Sequence, residues 1–567
     1  MSSPIYDLCD TYIERLASLD PTMATQRGLV GHDDELTDYS PEGIAYRTDL
    51  DRSTLRALPA VPLQSDRDRV AAALLSEWLA SRIASDETGE TARTLCVLGT
   101  PWQSTRQVFD LMPHESAEDW ERVAARLERL PASLEGLRTS LGESARRGMG
   151  PARRQVLACA EQGATWAGER GRPSYFTGLA AGYTGDDSGL RRRLEAAAIS
   201  AAAAYEVAGD WMREELAPVA VERDAVGPDR YALTSRQHLG ATVDPQETYG
   251  WGWAELHRIE AEMAQEAARI RSGATLDEVI DLLETDPERA IEGEDALRAF
   301  LQDLLDGTIA ELDGTHFDIP APLRRVEAMI APPGGAAAQY YTGPSEDLQQ
   351  PGRTWYPTQG RSVFPVWGEV STCYHEGVPG HHLQIGQVRY LKEQLSRFQR
   401  TVWFAGHGEG WALYAERLMD ELGYLTTPDH RLGFLRGQLL RAVRVIVDIG
   451  MHLELRIPAG EGDHAGETWT PELGREFLFS RARHPRDFLA SELDRYLGRP
   501  GQAIAYKVGE RAWLAAREQA RQRLGGHFAL KEFHAAALDL GPLGLDQLAS
   551  ECDRWSARAR GAEAETA

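Results

Sequence analysis

Apolar residues recur at three- and four-residue intervals from Tyr6 to about Glu214, interrupted by proline and glycine, which is the pattern of successive amphipathic helices. Asp20-Pro21-Thr22 and Ser40-Pro41-Glu42 each place a capping side chain before a proline, so both read as helix starts. The stretch Leu190 to Leu216, alanine-rich from Ala196 to Ala204, predicts one long helix whose small residues allow close packing. Asp244-Pro245-Gln246-Glu247 combines a cap, a first-turn proline and a third-position glutamate, and predicts a helix with Tyr249, Trp251, Trp253 and Met263 in the core.

Between Arg325 and Pro365 the period changes. Val326, Ala328 and Ile330 alternate, Pro332-Pro333-Gly334-Gly335 marks a turn, and Gln339-Tyr340-Tyr341 and Thr354-Trp355-Tyr356 read as short strands of a small sheet. Helical spacing then returns, apart from a loop rich in glycine, proline and acidic residues from Pro458 to Pro471. The expected fold is mainly α. Residues 6–555 are expected to form one unit of two intimate lobes, 6–320 and 321–555, with a deep cleft between them, the small sheet near it, and a flexible tail over 556–567.

The densest chemistry lies in Tyr374-His375-Glu376-Gly377-Val378-Pro379-Gly380-His381-His382. Imidazole nitrogens suit zinc, and a carboxylate next to the first ligand can take a proton from a water at the ion. In an H-E-x-x-H helix the two histidines share a face; here the fourth position after His375 is Pro379. At about 100° per residue, an offset of six puts His381 on the wrong face of an ideal helix. An offset of seven returns His382 to that face, but roughly 10.5 Å along the axis. The helix must therefore break, and Gly377, Pro379 and Gly380 are the residues that allow it. His381 is the expected second ligand, with His382 in reserve. The third comes from Gly406-His407-Gly408-Glu409-Gly410-Trp411, where Glu409 sits at a glycine-rich helix start; Glu416, seven residues on and followed by Arg417, reads as a solvated or paired position.

The pair H-E-x-x-P-G-H and E-G-W-A-L-Y resembles a bacterial family labelled as a domain of unknown function and related to the gluzincin metallopeptidases. The second motif is also similar to the N-E-G-F-A motif of membrane-type aminopeptidases, which supports Glu409 as a ligand. The resemblance runs from near Tyr6 to about Trp555 and includes Arg441 to His452 and Pro500 to Gly509. It implies a helical zinc-dependent fold similar to angiotensin-converting enzyme and the thimet-type oligopeptidases, with one Zn2+ per chain on His375, His381 and Glu409. Glu376 is then the general base, and Tyr506, in the segment like the family's C-terminal motif, the oxyanion donor, with a buried structural tyrosine as the alternative. An edge strand above the metal would pair with an extended substrate, so Tyr341 and Trp355 either face substrate or pack within the sheet.

Asp448 and His452, four apart on one helix, are expected to orient a ligand histidine. Arg441 and Arg444 are candidates for structural pairing, and Arg495, Arg499 and Lys507 either hold a substrate carboxylate or form ion pairs. The expected function is hydrolysis of a peptide or peptide-like amide bond by metal-activated water. The alternatives are a small-molecule amidase acting on one metabolite and a non-catalytic binding protein.

The formal net charge of −26 argues against nucleic-acid and anionic-membrane partners, both of which require a basic surface. Only Lys392, Lys507 and Lys531 are lysines among 61 basic residues, a bias consistent with a GC-rich bacterial genome. Cys9, Cys96, Cys159, Cys373 and Cys552 are odd in number and lack paired metal spacing. With no apolar leader run evident, the expectation is a cytoplasmic protein.

Overall fold

Helix starts form where capping residues precede the apolar periodicity. In the computed structural model, which describes residues 3–168, 171, 173–332 and 338–566, with side chains to 561, Asp20 Oδ1 accepts from the Met23 N–H at 3.1 Å and Ser40 Oγ from the Gly43 N–H at 3.1 Å. Asp244 Oδ1 accepts from the Gln246 and Glu247 N–H groups at 2.8 and 3.2 Å, opening the helix Pro245–Ile270. Tyr249, Trp253 and Met263 on that helix are buried, as core residues should be, while Trp251 is half-buried beneath the Arg511 guanidinium. The alanine-rich helix runs Ser188–Trp211, then widens into a π turn, Met212–Leu216. Ala197, Ala198 and Ala201 are buried where it packs on the helices Ala117–Arg146 and Arg153–Ala167.

The chain is mainly α-helical with two small sheets among the described residues. Strand Val326–Ile330 pairs in parallel with Gly352–Tyr356, which pairs antiparallel with Tyr340–Thr342 at the edge, and the burial of the first two alternates along them. The predicted turn at Pro333, Gly334 and Gly335 lies outside the described residues. A second sheet, Ala290–Glu292 against Val363–Pro365, was not legible because three-residue strands carry too little alternation to register. The last helix, Leu545–Thr566, continues through the segment whose composition suggested a tail.

Three apolar clusters hold the chain together. The largest draws mostly on residues from Tyr231 to Cys552, a second on Leu95 to Ala217, and a third joins the first helices to Phe398, Val402 and Phe404. Within the largest, the helices Ala405–Glu421 and Ala505–Leu524 cross in backbone contact. A Cβ at Gly410 would lie 2.4 Å from the carbonyl carbon of Gly509, and one at Gly509 would lie 2.0 Å from Gly406 O. Only glycine permits that approach, and it sets Tyr506, one turn before Gly509, within electrostatic reach of Glu409.

Candidate metal centre

The first helix of the motif, Glu369–Glu376, ends at Glu376, and a new helix, His381–Tyr390, begins at His381. Between them Val378-Pro379 is cis, and the chain turns at Gly377 and Gly380. A Cβ at Gly380 would fall 2.0 Å from His375 O, and one at Gly377 would fall 2.3 Å from Leu305 Cδ2, so both positions exclude a side chain. Trp411 clamps the turn by donating its indole N–H to Pro379 O at 2.8 Å.

This break brings the His375 and His381 rings to 4.9 Å between centroids, edge to face. Glu409 enters from the neighbouring helix with Oε2 at 3.6 Å from the Nε2 atom of each histidine. The donor atoms of His375, His381 and Glu409 lie within 4.8 Å of one another. Two ligands each about 2.1 Å from a tetrahedral ion are about 3.4 Å apart, so the two histidine–glutamate separations fit a shared zinc-sized ion. His375 and His381 are 5% and 7% exposed, which makes an accidental surface cluster a poor description.

The charges respond to this crowding. Burial pushes His375 down, but its contacts with Glu409 and Glu416 outweigh that and raise it to about 10. Burial pushes Glu409 up, and the two histidines reverse this, holding it well below the usual carboxylate range. His375 and Glu409 thus each stabilise the charged form of the other.

Of the two alternatives for Glu416, solvated or paired, the structure shows the paired one. The residue is buried, its Oε1 accepts from His375 Nδ1 at 2.7 Å, and its Oε2 accepts from Ser371 Oγ at 2.6 Å. The bond puts the Nδ1 proton toward Glu416 and leaves Nε2 facing Glu409. Its neighbour Arg417 pairs with Glu510 instead. The seven-residue spacing from Glu409 was visible in the sequence, but a buried carboxylate and a solvated one look alike there.

His382 is not among the donors. Its Nδ1 lies 3.0 Å from the Tyr341 hydroxyl and its Nε2 lies 2.9 Å from Leu323 O, so both nitrogens are spent joining the motif to the sheet. Burial lowers its pKa to about 4 and keeps it neutral, with Nε2–H the donor to Leu323 and Nδ1 the acceptor from Tyr341. Tyr341 is thereby a structural partner of His382, and Trp355 stacks on Tyr340 at 5.8 Å. Gly352 makes room for the bolt, since a Cβ there would sit 2.2 Å from the Tyr341 hydroxyl.

Asp448 and His452 do not orient either ligand histidine. Asp448 Oδ2 accepts from the Tyr231 hydroxyl at 2.6 Å and from the Gly501 N–H at 3.0 Å, and His452 Nε2 lies 3.0 Å from Tyr496 O. Their own separation is 3.9 Å, so the four-residue spacing does not produce a bond. Arg495 is buried against Glu492, at 2.7 Å, and Gln502. Lys507 is buried among Glu510, Glu255 and Gln438. Neither presents a charge to a ligand, because each already has its partners.

Glu376 is 8% exposed, beside His375, and its carboxylate has no hydrogen-bond partner among the described residues. Tyr506 is half-buried with the Arg444 guanidinium 4.7 Å from its ring centre. Burial, then the nearby Glu409, hold its phenol above the usual range and keep it protonated, despite Arg495 and Arg444.

Two solved structures share this fold. One is described as a "putative lipoprotein" from Colwellia psychrerythraea, 22% identical, with a TM-score of 0.85 over 98% of this chain and 99% of that one. The other, a "putative lipoprotein of unknown function" from Shewanella oneidensis, is 17% identical, with a TM-score of 0.73 over 97% of this chain and 99% of that one. No curated protein matches the chain. Among the described residues no helix is long and apolar enough to cross a membrane. A bacterial protein family of unknown function, DUF885, matches residues 21–551, and the chain belongs to that family.

Proposed function

We propose that the protein is a zinc-dependent hydrolase of peptide or related amide bonds. The observation that carries the reading is the convergence of His375, His381 and Glu409, with Glu376 next to His375 in the chain and without a hydrogen-bond partner among the described residues. When bound, the ion supplies Lewis acidity toward a carbonyl oxygen and a water. Glu376 takes the proton from that water as its oxygen adds to the carbonyl carbon, then passes the proton to the departing nitrogen as the C–N bond breaks. Tyr506, kept protonated by its surroundings, donates a hydrogen bond to the oxygen that gains charge. His375 is fixed in one tautomer by Glu416 throughout. A two-lobed cleft dividing residues 6–320 from 321–555, and cytoplasmic residence consistent with five buried unpaired thiols, belong to the same proposal.

A second reading keeps the chemistry and narrows the substrate. The low exposure of His375 and His381 favours small amides over large polypeptides, which supports a metabolite amidase. The test is elemental analysis with a parallel hydrolysis screen of mixed peptides and small N-acyl amides, on the parent, His375→Ala, Glu409→Ala and Glu376→Gln. The reading expects about one zinc per chain, lost in the first two variants, with Glu376→Gln retaining metal and losing turnover. A folded parent that takes up no zinc on reconstitution refutes it.

A further inference from the structure

The helix Pro428–Leu453 carries four arginines, and three of them are paired. Arg431 bonds Asp420 at 3.0 Å and Glu262 at 2.9 Å, Arg436 bonds Glu284 at 2.8 Å, and Arg444 bonds Glu492 at 2.6 Å and the Tyr496 hydroxyl at 2.8 Å. Arg441 makes no hydrogen bond among the described residues, in a chain with 87 acidic residues to choose from. Its closest carboxylate oxygen there is Glu416 Oε1, 3.9 Å from Nη2 and so outside hydrogen-bond range. Both oxygens of Glu416 are already engaged, by His375 Nδ1 and by the Ser371 hydroxyl.

The surroundings hold the guanidinium in place without satisfying it. Gly437, one turn earlier on the helix, leaves the room it occupies: a Cβ there would fall 2.8 Å from Arg441 Nη1 and 3.8 Å from Glu416 Oε2. Nε is enclosed and has no partner. The side chain as a whole is 19% exposed against 3% for Glu416, so the rest of it borders open space while the carboxylate behind it does not. A guanidinium is a rigid fork of N–H donors, and enclosing one unpaired is costly. A carboxylate meets two of those donors in parallel, which makes it the ligand the fork fits best.

Printed by its contacts, the position adjoins the metal donors. Glu416 Oε1 lies 2.7 Å from Nδ1 of His375 and 3.9 Å from Arg441 Nη2. The guanidinium is therefore no farther from the His375 ring than those two distances laid end to end. Three residues along the same helix, and hence on a neighbouring part of its face, the Arg444 guanidinium lies 4.7 Å from the ring centre of Tyr506. Arg441 is thus joined to the donor set through Glu416 and stands next to the arginine beneath Tyr506.

We propose that Arg441 binds a carboxylate of the substrate, one or two residues from the amide that is cut. At about 3.3–3.6 Å per extended residue, a segment of that length spans the interval from the donor set to Arg441. The substrate class is then a short peptide or N-acyl amino acid whose carboxylate, terminal or on a side chain, lies close to the scissile bond. This rests on the hydrolase reading above and adds its substrate specificity.

The experiment is isothermal titration of the full-length, zinc-loaded Glu376→Gln protein with acetyl-Ala-Phe, acetyl-Ala-Phe-amide and acetyl-Ala-Glu-amide. A charge-assisted guanidinium–carboxylate contact predicts that a carboxylate-bearing probe binds on the order of ten- to hundredfold tighter than the neutral amide. Preference for acetyl-Ala-Phe assigns a terminal carboxylate, and preference for acetyl-Ala-Glu-amide a side-chain one; either supports the subsite. Adding Arg441→Gln should abolish the preference, and Arg441→Lys should restore part of it, with zinc content and melting temperature measured on both. Equal binding of all three probes, binding of none, or a preference that survives Arg441→Gln overturns the subsite. Weaker zinc binding in Arg441→Gln without any carboxylate preference in the parent also overturns it, leaving Arg441 as a counter-charge to Glu416. The two readings fail separately. With Glu376 intact and zinc loaded, turnover of all three probes at equal kcat/KM removes the subsite and leaves the hydrolase. A carboxylate preference that depends on Arg441 without any turnover removes the hydrolase and leaves an anion-binding site.

Discussion

Replacing Glu416 with glutamine tests whether the donor set is held for a metal or merely packed. The substitution keeps the side-chain shape, so an amide oxygen still faces His375 Nδ1 and the Ser371 hydroxyl can turn to accept from the amide nitrogen. What is lost is charge on two short bonds, 2.7 Å to His375 and 2.6 Å from Ser371, and the nearby counter-charge of Arg441 at 3.9 Å. Hydrogen bonds to charged groups contribute about 1.5–3 kcal/mol against about 0.5–1.5 for neutral ones. The charge on the His375 bond is therefore worth about 1–2 kcal/mol to the ligand that feels it. Carboxylates behind zinc-bound histidines contribute about ten- to hundredfold in affinity, the same scale. A competition titration of zinc against a chromophoric chelator should show Glu416→Gln weaker by about tenfold or more, with its thermal unfolding close to the parent's. Glu416→Ala, by contrast, strands buried His375, Ser371 and Arg441 and should cost several kcal/mol in folding, on the order of a broken buried pair. Zinc affinity of Glu416→Gln within twofold of the parent would refute the orienting role.

His382→Ala removes both ends of the bolt between the sheet and the motif. It should lower stability by about 2–4 kcal/mol in chemical unfolding while leaving the zinc content unchanged; loss of zinc from a folded variant would return His382 to the ligand set. Gly509→Ala drives a methyl group onto Gly406 O and should cost about 3 kcal/mol or more, along with displacement of Tyr506 visible as lost turnover. A parent-like melting curve would contradict the backbone contact described. Asp448→Asn addresses pH. Burial raises Asp448 to about 7, although Tyr231, Gly501 and Arg495 oppose this, against about 3.9 unfolded. The folded state holds that proton more tightly, so the associated stability is present below about pH 4, falls as pH rises toward 7 and is gone above it. The span is about 4 kcal/mol at most, and melting temperatures of Asp448→Asn between pH 5 and 8 should decline less steeply than the parent's. Parallel profiles would show that Asp448 is ionised throughout.

Local pattern was enough for the helix starts at Pro21, Pro41 and Pro245, for the strands through Val326–Ile330 and Thr354–Tyr356, and for the need to break the helix between Glu376 and His381. Each is a matter of a few neighbouring residues whose backbone preferences and spacing act over one or two turns. The grouping of His375, His381 and Glu409 was legible for the same reason: both segments carry their chemistry within about ten residues, flanked by glycines that only a close approach would require.

Side-chain partners across the fold were not legible. Asp448 and His452 are spaced to bond along one helix, yet Asp448 takes Tyr231 and Gly501 and His452 takes a backbone carbonyl at Tyr496. Glu416 pairs with His375, and His382, the reserve ligand, instead bonds Tyr341 and Leu323, because Glu416 faces the His375 helix and His382 faces the sheet. Arg495 and Lys507, two of the candidates for holding a substrate carboxylate, are consumed by buried carboxylates of the chain itself. The sequence alone determined the helical architecture and the break in the helix between Glu376 and His381, since those follow from short-range spacing. The tertiary structure decided which carboxylate steadies His375, which histidine is only a brace and which cations are consumed by buried carboxylates, because burial and pairing depend on helices packed together from distant parts of the chain.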